Sequence, residues 1–139
     1  MARFLHTMCR ITDPEKSRAF YEALGFAFAA DFDIVRNSEL EATNYFFSLG
    51  DQESVLELTY NHDGRTYELG NGYGHIATAV EDLDGTLERL AAHGIEPERP
   101  PYTVRETARG CASSKTRRGS SSSWRSRSAK GSARPPTTT

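Results

Sequence analysis

Two stretches of this chain are copies of one another. FLHTMCRITDPEKSRAFYEALGF, from Phe4, lies over YGHIATAVEDLDGTLERLAAHGI, from Tyr73, at an offset of 69 residues and without a gap. His6 meets His75, Ile11 meets Val80, Asp13 meets Asp82, Tyr21 meets Leu90, Gly25 meets Gly94 and Phe26 meets Ile95. These coincidences fall where a strand, a helix cap and a turn have to be set, which favours duplication of one module over chance. A chain of 139 residues has room for two such modules and little else.

Each copy reads as strand, helix, strand. In the first, Phe4–Ile11 is extended, Asp13 is an N-cap, Pro14 suits the first helical position and Gly25 follows the last turn. Phe20, Tyr21 and Leu24 make the apolar stripe of that helix. The second copy repeats the plan with Asp82 as cap, Leu83, Leu87 and Leu90 as stripe, and Gly94 as terminator. His93, beside that terminus, suits the negative end of the helix dipole and a solvated position. Three more strands follow the first helix over Phe26–Ile34, Ala42–Leu49 and Ser54–Tyr60, divided by the turn signals Arg36-Asn37-Ser38 and Gly50-Asp51. Residues 1–70 are therefore expected to form an α+β module of βαβββ order, and residues 71–106 to begin a second one.

Residues 107–139 depart from that plan. They hold eight basic residues (Arg109, Lys115, Arg117, Arg118, Arg125, Arg127, Lys130 and Arg134), nine serines, and no Asp, Glu, His, Leu, Ile or Val. The remaining nine basic residues stand against all nineteen acidic ones, so residues 1–106 carry about −10. A segment without branched aliphatics cannot supply alternating core strands. The expectation is a globular domain over 1–106, a truncated second module, and a disordered basic segment over 107–139. Cys9 and Cys111 are too few for a disulfide framework, and no apolar run is long enough to span a membrane. The first residues, MARFLHTM, lack the apolar core and cleavage site of a secretory leader, so a cytoplasmic location with no membrane partner is expected.

The chemistry gathers on strands. Alternation puts Phe4, His6, Met8 and Arg10 on one face, and in SVLELTYN it sets Val55, Glu57 and Thr59 apart from Leu56, Leu58 and Tyr60. A carboxylate between two leucines needs a partner if it is buried, and His6 and its counterpart His75 are the obvious ones. Taken singly, His6 reads as a hydrogen-bonded strand residue and Glu57 as an edge carboxylate facing water. Taken together, two imidazoles and a carboxylate suit a divalent transition metal.

LHTMCRITD, SVLELTYN and YELGNGYGHIA resemble the matching segments of short bacterial glyoxalase I enzymes, within the vicinal oxygen chelate superfamily, over about residues 1–106. The resemblance implies paired βαβββ modules and His6, Glu57 and His75 as the first three metal ligands, with Ni²⁺ or Zn²⁺ as the metal. It implies contacts from Arg10 and Asn61, and from His75, to a glutathione-bearing substrate. By themselves Arg10 reads as a surface charge and Asn61 as a turn residue. The implied reaction isomerises the hemithioacetal of glutathione and methylglyoxal to S-lactoylglutathione, the metal acting as Lewis acid and a metal-bound glutamate moving a proton from C1 to C2. It also implies a homodimer whose sites draw on both copies.

The repeat places a fourth ligand, the counterpart of Glu57, near position 126, where the chain reads GSSSSWRSRS. A basic tail that binds nucleic acid is one account of this segment. It explains poorly why the tail begins where a strand is required. A reading frame displaced by one base explains more. In that frame the codons of Gly110–Trp124 can encode a VEDPxGFKIEL-type segment, with Glu arising at the Ser122-Ser123 junction. The chain as written is then a lyase lacking its fourth carboxylate, with little or no activity expected. Two rivals share the fold: a non-catalytic small-molecule-binding protein without metal, and a dioxygenase or epimerase, which the ELTYN and YGHIA segments disfavour.

Overall fold

The computed structural model describes residues 1–68, 70–103, 110–115 and 121–126, the side chains of Thr103 and of the last two segments excepted. The chain divides into two compact units, one of residues 1–73 with 92–95, the other of residues 74–91 with those from 96 onward.

The first unit runs β1 (Thr7–Ile11), α1 (Pro14–Ala23), β2 (Ala27–Arg36), β3 (Glu39–Leu49) and β4 (Gln52–Asn61). Its sheet has the order β1-β4-β3-β2, with β1 parallel to β4 and the other pairs antiparallel. The local signals act as expected. Asp13 Oδ1 accepts from the Lys16 N–H at 3.0 Å with Pro14 next to it, and Gly25 ends the helix at φ +98°. Asn37 and Ser38, at φ +51° and +65°, close the β2–β3 hairpin as a two-residue turn. One sheet face is apolar and carries α1: Tyr21, Phe47, Leu56 and Leu58 are almost wholly buried, and Phe20, Leu24 and Phe26 join them. The Tyr21 ring meets Phe26 edge-on at 5.5 Å and lies 6.4 Å from Phe47. The opposite face holds Met8, Glu57, Phe46 and Phe32, by alternation from those buried positions.

The second unit runs β5 (Ile76–Val80), α2 (Leu83–Ala92), β6 (Tyr102–Thr103), β7 (Gly110–Lys115) and β8 (Ser121–Ser126), in the sheet order β5-β8-β7-β6. Both sheets therefore have one connectivity, the structural form of the repeat. Asp82 caps α2, its Oδ1 accepting from the Gly85 N–H at 3.1 Å.

Three expectations need correction. No strand was expected beyond residue 106, yet β7 and β8 form, and β8 lies between β5 and β7. Strand pairing uses backbone N–H and C=O groups, which serine and arginine supply as well as valine does. No proline interrupts residues 110–126. Composition weighed only the side chains. The expectation of disorder for residues 107–109, 116–120 and 127–139 lies outside the described residues.

Second, the counterpart of Glu57, expected near 126, takes an exact position from the strand pairing. Met8 pairs with Glu57 and its repeat mate Ala77 pairs with Ser123, so the equivalent position comes three residues earlier. The path from the first strand to the last is shorter by that amount in the second module. Third, α2 buries Leu83, Thr86 and Leu90, with Leu87 only half-buried. Thr86 tolerates burial because its hydroxyl donates to the Asp82 carbonyl at 2.6 Å.

Candidate functional site

On the open face of the first sheet, His6 and Glu57 come together. His6 directly precedes β1, Glu57 sits mid-β4, and the parallel pairing of those strands sets them side by side. His6 Nε2 lies 2.9 Å from Glu57 Oε2, with side chains 38% and 12% exposed. The other carboxylate oxygen, Oε1, accepts from Thr59 Oγ1 at 3.3 Å, and the Phe46 ring meets the imidazole edge-on at 5.7 Å. Phe32 packs on Phe46 in turn, also at 5.7 Å. The carboxylate is thus oriented from one side and the imidazole from the other.

The spacing suits a shared cation. Two donors bound at about 2.1 Å to one divalent ion at roughly right angles stand about 3 Å apart. The donor set, an imidazole nitrogen and a carboxylate oxygen, is that of Ni²⁺ and Zn²⁺ sites. Within this unit no third His, Cys, Asp or Glu side chain joins the pair among the described residues. His75 is in the second unit, exposed and directly before β5, as His6 is before β1.

Arg10 pairs with Thr59 across β1 and β4, on the face of Glu57. Asn44 pairs with Thr59 from β3, and its Oδ1 is buried without a hydrogen-bond partner among the described residues. Asn61 closes β4, and its Nδ2 donates to the Tyr67 phenol oxygen at 2.6 Å. The row from Glu57 to Asn61 therefore mixes a carboxylate, a hydroxyl and a carboxamide, with a guanidinium alongside.

Sequence reading left several of these contacts unseen. Thr59 was legible, standing two residues from Glu57 on a strand. Phe46, Phe32 and Asn44 required the β3 register, and no sequence signal pointed to Tyr67. His62, read as a loop residue, belongs to a small network on the helix-bearing face. Thr43 Oγ1 donates to Asp33 Oδ1 at 2.7 Å, so His62 Nε2, at 2.9 Å, supplies the proton in its own bond to Thr43. On β1, burial pushes the Cys9 thiol above its ordinary range, with a hydrogen bond to Tyr73 pulling the other way.

A model of the glyoxalase/bleomycin resistance protein/dioxygenase superfamily matches residues 3–117. The chain is 40% identical over 106 residues to a probable lactoylglutathione lyase of Vibrio cholerae, covering 74% of this chain and 75% of that protein. It is 42% identical over 95 residues to a lactoylglutathione lyase of Neisseria meningitidis, covering 66% and 67%. It spans only 29% of a probable chloroplastic lactoylglutathione lyase of Arabidopsis thaliana. Among solved structures, glyoxalase I from Zea mays superposes with a TM-score of 0.80 at 27% identity, over 91% of this chain and 45% of that one. The trypanothione-dependent glyoxalase I of Leishmania major gives 0.71 at 30% identity, over 91% and 87%.

Proposed function

The chain belongs to the glyoxalase/bleomycin resistance protein/dioxygenase superfamily, and from that premise we propose that it is a lactoylglutathione lyase, acting on the hemithioacetal of glutathione and methylglyoxal. The observation that carries this reading is the His6–Glu57 pair, 2.9 Å apart on the open sheet face, in a chain 40% identical to a probable lactoylglutathione lyase. His6, Glu57 and His75 are the ligands we assign to a divalent ion, Ni²⁺ or Zn²⁺. Such an ion supplies Lewis acidity toward the substrate oxygens. Glu57 is the general base, its carboxylate taking a proton from C1 and returning one to C2. Thr59 holds Oε1, which keeps the carboxylate aimed while Oε2 exchanges partners. Arg10 and Asn61 take a carboxylate of the glutathione portion, and Asn44 Oδ1 offers a buried acceptor to a peptide N–H.

The second module bears on activity. Ser123 stands at the register position of Glu57, so the chain as written lacks a second carboxylate there. That is also the junction at which the displaced reading frame can encode Glu, which supports a frameshifted segment over a native basic tail. The same observation favours the second reading, a non-catalytic binding protein without metal. We further assign a cytoplasmic location and a homodimer, the dimer supported by the exposure of Phe32 (62%) and Ile34 (39%) on the open face. Among the described residues no helix is long and apolar enough to cross a membrane.

Metal titration with Ni²⁺ and Zn²⁺, followed by an assay for S-lactoylglutathione from methylglyoxal and glutathione, tests the assignment. The lyase reading expects stoichiometric metal and slow, metal-dependent product formation. A chain that binds neither ion favours the binding-protein reading and overturns this one.

A further inference from the structure

β4 ends at Asn61, and the chain then doubles back in a tightly held turn. The Arg65 N–H donates to Asp63 Oδ1 at 3.1 Å and Arg65 Nε to Asp63 Oδ2 at 2.6 Å, with Gly64 between them at φ +73°. The hydrogen bonds from Arg65 hold the Asp63 carboxyl below the ordinary carboxylate range. It brings Tyr67, half-buried, back to the strand end, where its phenol oxygen accepts from Asn61 Nδ2.

Hydrogen stoichiometry gives that contact a chemical direction. A phenol oxygen that accepts from an amide keeps its own hydrogen to donate, and the carboxamide keeps its second N–H. Two donors therefore issue from one point at the end of β4. Arg10 adds a third group, on β1 opposite Thr59 and on the face that carries Asn61 two residues further on. Two adjacent neutral donors on a strand face that also carries an arginine complement a carboxylate, which accepts at both oxygens and donates nothing.

We propose that Tyr67 and Asn61 act as one donor pair for a carboxylate of the thiol-peptide substrate, Tyr67 orienting the carboxamide and donating its own O–H. The proposal rests on the lyase reading. It adds to that reading a residue outside the strands, delivered by the loop after β4.

The probes are S-hexylglutathione and its two analogues in which one or the other carboxylate is replaced by a carboxamide, titrated calorimetrically into the full chain without added metal. Tyr67→Phe keeps the ring and loses the hydroxyl. It is expected to weaken S-hexylglutathione about tenfold, the scale of a lost hydrogen bond to a charged group, with an unchanged thermal midpoint. One carboxamide analogue is expected to bind wild type and Tyr67→Phe equally, since the group that the phenol reads is gone. Adding Tyr67→Phe to Asn61→Ala should cost far less than either change alone, as for two members of one site. Wild-type affinity in Tyr67→Phe overturns the proposal and leaves the lyase reading standing. So does a loss equal for the parent ligand and both analogues, which marks a loop-closing role. Failure of wild type to bind S-hexylglutathione overturns both.

Discussion

At the scale of single residues, the site depends on a contact that is mundane without a ligand. His6 Nε2 and Glu57 Oε2 satisfy one another as a hydrogen-bonded pair at 2.9 Å. Removing either partner breaks that bond and deletes one donor from the candidate metal site. Glu57→Ala and His6→Ala are each expected to lower Ni²⁺ affinity by at least tenfold, the range seen even when groups merely supporting ligands are lost. Isothermal titration with the free ion reads this without reference to turnover. Glu57→Gln separates the roles, since it keeps an oxygen donor and loses the base. Unchanged metal affinity in Glu57→Ala would remove that residue from the ligand set.

At the scale of elements, the two modules build one helix cap in two ways. Asp13 and Asp82 both accept an N–H three residues on. In α1 that residue is Lys16; in α2 it is Gly85, where a Cβ would run into the Asp82 carboxylate. Glycine there is costly in a helix by about 1 kcal/mol relative to alanine, and the cap returns a comparable amount. Gly85→Ala is therefore expected to change stability by less than about 0.5 kcal/mol in the natural chain, the propensity gain offset by the displaced cap. In an Asp82→Ala background the same change should stabilise by about 1 kcal/mol, because nothing is left to displace. Urea denaturation of the four-protein cycle measures it. Equal effects in both backgrounds would show that the cap accommodates a methyl group.

At the scale of the molecule, the second module reproduces the sheet of the first in backbone and departs from it in side chains. Its strand order matches that of the first, and the register sets Ser123 where the first module has Glu57. A second carboxylate at the position of Glu57 would therefore stand at 123. Ser123→Glu is expected to raise metal-dependent turnover by about 10²-fold or more, the lower end of what a positioned acid–base group contributes. Ser126→Glu, at the position that simple repeat arithmetic selects, should do nothing comparable. Equal gains in both variants would mean that added negative charge is responsible and the register is not.

Periodicity, caps and turns are local, and what depended on them was legible in the sequence. The duplication showed in its 69-residue offset, and both helices with their Asp caps, the Asn37-Ser38 hairpin and the alternation that groups His6 with Arg10 and Glu57 with Thr59 follow from spacings within a few residues. The ligand role of His75 remains an assignment from the repeat and the resemblance. Tertiary structure decided what spacing alone could not. The path from the first strand to the last is three residues shorter in the second module, so the pairing, and not the 69-residue offset, sets the Glu57 counterpart at 123. Backbone hydrogen bonding is indifferent to side-chain type, so residues 110–115 and 121–126 pair as strands where composition predicted none. Tyr67 reaches Asn61 because a clasped turn reverses the chain, and no periodicity in the sequence encodes where that reversal ends.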